Sequence, residues 1–446
     1  MKPTTYLYLL LTAFLILSCG SKPSQKQESI IYSGVPWYDQ NNNTVNAHGA
    51  CIVEENGKYY LFGEYKTDSL NHFIGFACYS SDNLADWKFE RIVLPQQEEG
   101  LLGPDRIGER VKIMKCPSTG EFVMYMHTDD KGYYDPHIGY ATCATIDGEY
   151  EFQGALLHHG QPIKRWDMGT FQDSDGRGYL LIHHGSIYRL SDDYRSTEQH
   201  LPHIDDMGES PTMFKKNGVY YLLTSNLTSW ERNDNMYHTA TNIEGPWVKQ
   251  GFFCPEGTLT WNSQCTYVFP QVCDENTTPM YMGDRWSFPK QAAAATYVWL
   301  PMQSEGSELS IPEYFPAWDA QTFKAVTLPK YKQEIMFKSN KKGDVFEKNI
   351  VGGSRIAIFG ESNKHGGYAL VKIFDKQDKE VFGNIVDFYS KVPDSGTRFV
   401  SPTLPDGDYK LTIEVMGEHP TWSDKKMRIF YGSDDFYITV FDVMKL

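Results

Sequence analysis

Short apolar runs separated by polar turns dominate this sequence, and the turns recur in one form. "ENGKYYLFGE" (55–64) is echoed by "STGEFVMYMH" (118–127), "SDGRGYLLIH" (174–183) and "KNGVYYLLTS" (216–225), with a weaker fifth copy in "TTPMYMGDRW" (277–286). In the first four, an Asn-Gly, Thr-Gly or Asp-Gly pair stands between β-branched and aromatic runs, the strongest short-range signal for a β-hairpin. A further strand-like run follows each hairpin: "FIGFACYSSD", "HIGYATCATID", "SIYRLSDDY", "MYHTATNIEGPW" and "ATYVWLPM". Aromatic edge segments such as "WKFERIVL" and "YEFQGALL" close several units. Four short strands per unit, repeated five times without an intervening helix, predict an all-β fold with a five-bladed β-propeller over residues 40–327. A sandwich with regular hairpins is the alternative, but a sandwich needs no such self-similarity. Residues 340–446 lack the repeat. Their runs "RIAIFG", "ALVKIFD", "RFVSP", "YKLTIEVMG" and "FYITVFDVMK" predict a C-terminal β-sandwich, joined through "LPKYKQEIMFKSNKKGD" (328–344).

The innermost strands of a propeller start at its axis, so the turn glycines at 57, 120, 176 and 218 serve as a ruler. Nine residues ahead of 57, 176 and 218 stand His48, Asp167 and Glu209, and eleven ahead of 120 stands Glu109. The fifth inner strand, "SQCTYVFP", begins near Gln264. One polar residue at a strand start is ordinarily a solvated end. Five equivalent ones converging on one axis predict a site. The chemistry that suits them is acetal hydrolysis: a carboxylic acid protonates the leaving oxygen, a second group orients water, and a nearby carboxylate tunes the acid. Trp230, Tyr133 and Trp286 are candidate sugar-stacking walls, and Arg285 and Arg110 candidates to bond hydroxyls or hold carboxylates.

Composition narrows the partners. Aromatics at 14% beside 22% charged residues suit a β-rich protein that handles sugar-like ligands. A formal net charge of −15 argues against nucleic acid or an anionic membrane surface as partner. At the N-terminus, Lys2 precedes the apolar run "YLYLLLTAFLIL", too short to span a bilayer comfortably, and then Ser18, Cys19 and Gly20. This pattern predicts a lipoprotein signal peptide over 1–19 with lipidation at Cys19, and a tether over 20–39. The protein is then expected lipid-anchored in a bacterial cell envelope, periplasmic or at the outer-membrane surface, touching membrane only through that anchor. The other seven cysteines show no paired CxxC spacing, which fits neither a disulfide scaffold nor a zinc site. Cys51 and Cys78 could lie on nearby strands. No ligand cluster is visible, so no cofactor or metal is expected; His48 marks where a central ion would sit.

The motifs "NAHGA", "YYLFGE", "GERVKI", "WDMGTFQDSDG", "ESPTMFKKNGVYYLLTS", "EGPW", "SQCTYVFP" and "YMGDRW", in order over residues 44–300, resemble glycoside hydrolase family 43 and within it the exo-β-1,3-galactanase branch. The resemblance implies a five-bladed propeller enzyme that releases galactose from the β-1,3-galactan of arabinogalactan-type polysaccharide, with inversion, acting as a monomer. It implies Glu209 as general acid and Asp167 as the carboxylate that raises and orients it. Gln264 would stand in place of a carboxylate base, holding water, and Glu109, Glu64 and Tyr133 would bind sugar. Most of the family carries an aspartate base where His48 stands here, so His48 or Glu109 could instead serve as base. "HHGSIYRL" is shorter than the relatives' loop, which opens the sugar to α-L-arabinofuranose or galactofuranose. The missing aspartate leaves open a catalytically silent glycan-binding lipoprotein. Appended sandwiches in relatives are often carbohydrate-binding modules, making Trp422 and Tyr389 candidate platforms beside a purely buttressing role.

Overall fold

The computed structural model describes residues 29–421 and 436–446, so Cys19 and Trp422 lie outside the described residues. The chain is all-β, and five sheets follow one another over residues 48–301, antiparallel except for one parallel pairing each in the third and fourth. The first consists of His48–Glu55, Lys58–Glu64, Gly75–Ser81 and Lys88–Pro95, and the second of Arg106–Lys115, Phe122–Asp130, His137–Cys143 and Glu151–Ala155. The third starts at Met168–Gln172, the fourth at Glu209–Lys216 and the fifth at Gln264–Phe269. The five starting strands are neighbours in a cycle: first against second, second against third, and so on until the fifth meets the first.

The turn chemistry explains the hairpins. Gly57, Gly120, Gly176 and Gly218 all have φ between 74° and 84°, a region that a side chain disfavours. Asn56 and Asn217 precede two of them with φ of 54° and 50°, the paired left-handed residues of a tight hairpin. The sheets are less uniform than four strands each. The third has six strands because Leu157–His158 and Gln161–Pro162 add to its edge, and the fourth gains Val272–Cys273. The fifth has three, ending at Thr296–Pro301. Nor is the stretch before residue 40 wholly a tether. Ile30–Tyr32 pairs with Ala317–Asp319, and Ile31, Val35 and Trp37 are buried, because this apolar stretch covers the fifth sheet.

Farther on, two four-stranded sheets share one core. Ile358, Phe399 and Val440 of one meet Val371, Ile373 and Ile413 of the other. Three of these strands, Phe337–Ser339, Val345–Val351 and Glu380–Asp387, escaped the sequence reading because half their positions face water. Ala357, Phe359 and Val400 turn the opposite way and join the buried cluster of Trp37, Trp299 and Trp318, fixing the C-terminal unit to the preceding sheets. All seven cysteines among the described residues are free thiols, Cys51 and Cys78 included. No helix among the described residues is long and apolar enough to cross a membrane.

Candidate active site

One local device places the candidate groups. In the first, second and fourth sheets the ladder slips just after the residue that opens the first strand's run toward its turn, at His48/Cys51, Glu109/Lys112 and Glu209/Thr212, Glu109 being the fourth residue of Arg106–Lys115. The residue following each, Gly49, Arg110 and Ser210, has φ of 57–60°. Such a bulge bends the strand and re-aims the side chain at its end. Each opening residue also faces a polar partner on the next strand: His48 opposite Glu64, Glu109 opposite His127, Glu209 opposite Ser225 and Gln264 opposite Asp284. In the third sheet the His183 N–H donates to the Asp167 carbonyl.

A cavity of about 430 Å³ lies at this centre, and Glu109, Asp167, Glu209 and Gln264 line it together with Arg110, His127, Tyr133 and Trp230. Arg110 ties the cluster. Its Nε donates to Asp167 Oδ1 at 2.7 Å, its NH2 to Gln264 Oε1 at 2.7 Å, and its main-chain N–H to Glu64 Oε1 at 2.8 Å. The second oxygen of Asp167 accepts the Ser210 N–H at 2.7 Å. Glu109 is held equally firmly: Asn71 Nδ2 and the Tyr133 hydroxyl both donate to Oε1 at 2.9 Å, and His127 Nδ1 stands 3.5 Å from Oε2.

Gln264 has its amide orientation set by chemistry. Its Oε1 meets Arg110 NH2 and the Trp286 indole N–H at 2.9 Å, and both of those groups can only donate. The Nε2 side therefore faces Ser225 Oγ at 2.9 Å and Glu209 Oε1 at 3.0 Å. Acid and amide are in direct contact, whereas a water-spanning inverting pair is separated by about 6.5–9.5 Å. Gln264 is thus the acid's immediate neighbour, not a group facing it across the sugar.

The electrostatics separate the carboxyls. Burial above all, and then the charge of Asp167, push the Glu209 pKa up to about 8, with Arg110 and Gln264 pulling the other way. Glu209 consequently keeps its proton at neutral pH. Because Gln264 Nε2 donates to Oε1, that oxygen is the carbonyl and the proton resides on Oε2. Burial would raise Glu109 too, but the His127 hydrogen bond and the Lys66 charge outweigh it and hold Glu109 well below the usual carboxylate range. Burial likewise disfavours a charge on His127, yet Asp129 and Glu109 push its pKa up to about 9 and keep it an imidazolium.

Several expected residues lie elsewhere. His48 is fully buried, its Nδ1 3.3 Å from Asp284 Oδ1 and its ring stacked on Tyr297, so it neither binds sugar nor acts as base. Glu64, 2% exposed, sits behind the cavity against Lys66 Nζ at 2.7 Å and steadies Arg110 from there. Arg285 points away from the cavity. Its guanidinium bonds the carbonyls of Asn262, Trp261 and Gly34, because side chains alternate along a strand and Asp284 takes the inward direction. Trp286 is buried behind Gln264 and forms no wall. Tyr389 of the C-terminal unit is 5% exposed and donates to Glu231, so it offers no platform.

Sequence reasoning missed His127, Trp166, His183, His184, Leu227 and Phe288, all of which line the cavity. Reflection of each opening residue through its hairpin turn would have found His127 and His183. Trp166, Leu227 and Phe288 come from loops without periodicity and leave no such signal. Among the described residues no group of three or more His, Cys, Asp or Glu is placed to hold a metal ion.

Comparison with known proteins places this site in context. The model for "Glycosyl hydrolases family 43" matches residues 50–252. A candidate exo-β-1,3-galactanase of Bifidobacterium bifidum is 34% identical, with a TM-score of 0.58 over 63% of this chain and 95% of that one. An exo-β-1,3-galactanase of Clostridium thermocellum is 27% identical, with a TM-score of 0.60 over 81% of this chain and 77% of that one. A β-D-galactofuranosidase of Aspergillus niger is 25% identical over 212 residues, 43% of this chain and 60% of that protein's length.

Proposed function

Because this chain belongs to glycosyl hydrolase family 43, a family of glycosidases, we propose that it removes galactose from the ends of the β-1,3-galactan in arabinogalactan-type polysaccharide. One observation carries this reading: a protonated carboxyl, Glu209, lines a cavity whose other two carboxylates have both oxygens engaged. Glu209 Oε2 has no hydrogen-bond partner among the described residues and is the oxygen that delivers a proton to the glycosidic oxygen. Asp167 cannot attack the anomeric carbon while Arg110 and Ser210 hold it, and neither can Glu109 in the grip of Asn71, Tyr133 and His127. With no carboxylate free to act as nucleophile, water attacks the anomeric carbon directly, its proton passes to the solvent of the open cavity as the glycosidic oxygen leaves with the proton of Glu209, and the anomeric configuration inverts. Gln264 has a role in that step. That role is on the acid's side of the sugar: the Gln264 Nε2 hydrogen occupies Glu209 Oε1, which leaves the protonated Oε2 as the oxygen presented to the leaving group. General acid catalysis of this kind is worth roughly 10²–10⁴-fold.

The same reading makes the five-sheet unit a five-bladed β-propeller, which the cycle of starting strands supports. It makes the C-terminal unit a β-sandwich, which the core shared by its two sheets supports. Ser18-Cys19-Gly20 supports lipidation at Cys19 and an envelope location; mass spectrometry of the mature N-terminus tests it, and an unmodified terminus at another residue would remove the anchor.

Incubation with β-1,3-galactan, arabinogalactan and arabinan should release monomeric galactose from the first two. NMR should show the α-anomer first. The Aspergillus relative favours a second reading, cleavage of galactofuranosides. Activity on an aryl galactofuranoside, with none on β-1,3-galactan, would replace the first reading by the second.

A further inference from the structure

Residues 286–288 follow the fifth sheet's second strand and carry two groups of the site. Trp286 donates its indole N–H to Gln264 Oε1, and Phe288 lines the cavity against Trp230, with ring centres 4.9 Å apart. Their main chain is fastened at three successive carbonyls. Arg232 NH2 donates to the Trp286 carbonyl at 2.8 Å, the Tyr368 hydroxyl to that of Ser287 at 3.0 Å, and the Thr421 N–H to that of Phe288 at 2.9 Å. The Ser287 hydroxyl also donates to Asp387 Oδ2 at 2.8 Å. A second arm reaches the same place, where the Tyr389 hydroxyl donates to Glu231 Oε2 at 2.9 Å and Glu231 Oε1 accepts the Arg232 N–H at 3.0 Å. Tyr368, Asp387, Tyr389 and Thr421 belong to the C-terminal unit.

We propose that the C-terminal unit is a working part of this active site: Tyr368, Asp387 and Tyr389 are positioning residues that set Trp286, and through it the Gln264 amide, against Glu209. The proposal rests on the cavity being a glycosidase site. Its warrant is the kind of contact used. The two units already adhere through Ala357, Phe359 and Val400, an apolar contact none of whose residues lines the cavity. Packing alone does not call for the buried Glu231 and Arg232, or for the half-buried Asp387 whose pKa burial raises, beneath the site, where desolvation makes ionic groups expensive. Directional bonds to three consecutive carbonyls fix a main chain as apolar contact does not, and a misplacement of about 1 Å at a catalytic group can lower the rate about a hundredfold.

The test uses the full chain. Tyr368→Phe/Tyr389→Phe removes two hydroxyls and keeps both rings, while Lys376→Gln, an exposed change on the same unit, is the control. In the double variant kcat on an aryl galactoside should fall about ten- to a hundredfold with KM little changed. The basic limb of its pH–rate profile should move up, because the Gln264 hydrogen bond that lowers the Glu209 pKa is loosened. Asp387→Ala should lose activity and Asp387→Asn, which keeps an acceptor for Ser287, should recover most of it. Amide hydrogen exchange at residues 286–294 reads the same coupling without any assay and covers the case in which the wild type proves inactive. It should accelerate at least about tenfold in the double variant and stay unchanged in the control. Unchanged exchange there, or wild-type kcat and pH limb in a folded double variant, would overturn the proposal.

Discussion

Glu64 and Glu209 open a comparison between two sides of the same centre. Each is a glutamate at the axial end of a strand and each bonds a neighbouring sheet, Glu64 buried and Glu209 half-buried in the cavity wall. Glu64 has an ammonium at 2.7 Å and a main-chain N–H at 2.8 Å, so its charge is answered. Glu209 has an amide at 3.0 Å and a like charge, Asp167, nearby. Burial raises both carboxyls, but at Glu64 the Lys66 charge is the next largest influence and pulls the pKa back, whereas at Glu209 the next is Asp167, which pushes it further, to about 8; only the second is built to keep a proton it can give away. Position on the axis does not make a catalytic group. Unanswered charge in reach of the cavity does.

The largest expected effect comes from removing the proton donor. Glu209→Gln should lose roughly 10²–10⁴-fold on galactan, and an aryl galactoside with a good leaving group should recover part of that loss. The same change should stabilise the fold at high pH. The Glu209 pKa rises from the ordinary 4.5 to about 8 on folding, so the unfolded chain ionises this group first. Stability present below pH 4.5 is therefore lost as pH rises toward 8, and the glutamine is spared that loss. Thermal melts across pH 4–9 should show a Tm gain that grows with pH; a gain equal at all pH values would contradict the assigned pKa.

Next in size is the opposite failure. Glu64→Gln leaves Lys66, 4% exposed in its side chain, with Glu109 at 3.8 Å as its one remaining carboxylate among the described residues, beside the neutral Asn71 Oδ1 at 2.7 Å. Breaking a buried pair in this way costs up to about 3–5 kcal/mol. Denaturant titration should show that loss, while the protein still folded retains most of its kcat. A variant as stable as wild type but inactive would move Glu64 into the sugar-binding set.

How far the sequence could carry this distinction is now visible. Turn residues are local, so Gly57 and Gly218 announced their hairpins, and counting back from them reached His48, Glu109, Asp167 and Glu209. Depth is not local. His48 and Glu109 look alike in the repeat, but only packing against Tyr297 and Asp284 sinks the first below the cavity. Gln264 was legible as a position and not as a contact, since its bond to Glu209 depends on Arg110 and Trp286 arriving from two other strands. The fifth hairpin lacks a turn glycine to count from, and there the sequence offers Arg285 as a hydroxyl-bonding candidate although the register sets Asp284 opposite Gln264.

Asp167→Asn sharpens the comparison at the cost of a smaller change. This substitution removes a negative charge that raises Glu209 and frees Arg110, whose positive charge lowers it. The Glu209 pKa should therefore fall, and the basic limb of the pH–rate profile should move to lower pH. Asparagine can still accept the Ser210 N–H, so the fold should survive. An unmoved limb would show that burial alone sets the acid.

The smallest effect is expected at Arg285, which shares the strand end with Asp284 yet faces away from the cavity. Residues 259–262, just ahead of Gln264, have φ of 53–57° in succession, a left-handed turn that costs L-residues roughly 1–2 kcal/mol each. The turn is held from several directions. Asp234 accepts the Leu259 N–H, the Thr260 hydroxyl meets the Asn233 carbonyl, and Arg285 bonds the carbonyls of Trp261 and Asn262. Arg285→Lys keeps the charge and loses the planar fork that reaches two carbonyls together. The loss should be about 1–3 kcal/mol of stability, the cost of leaving buried groups unpaired. Gln264 should stay in register, because Arg110, Trp286 and Ser225 hold its amide independently of the turn. Below the melting range kcat/KM should equal that of wild type. A fall in kcat/KM comparable to that of Asp167→Asn would show that the turn reaches the chemistry, and that the back of this strand belongs to the site as much as its front.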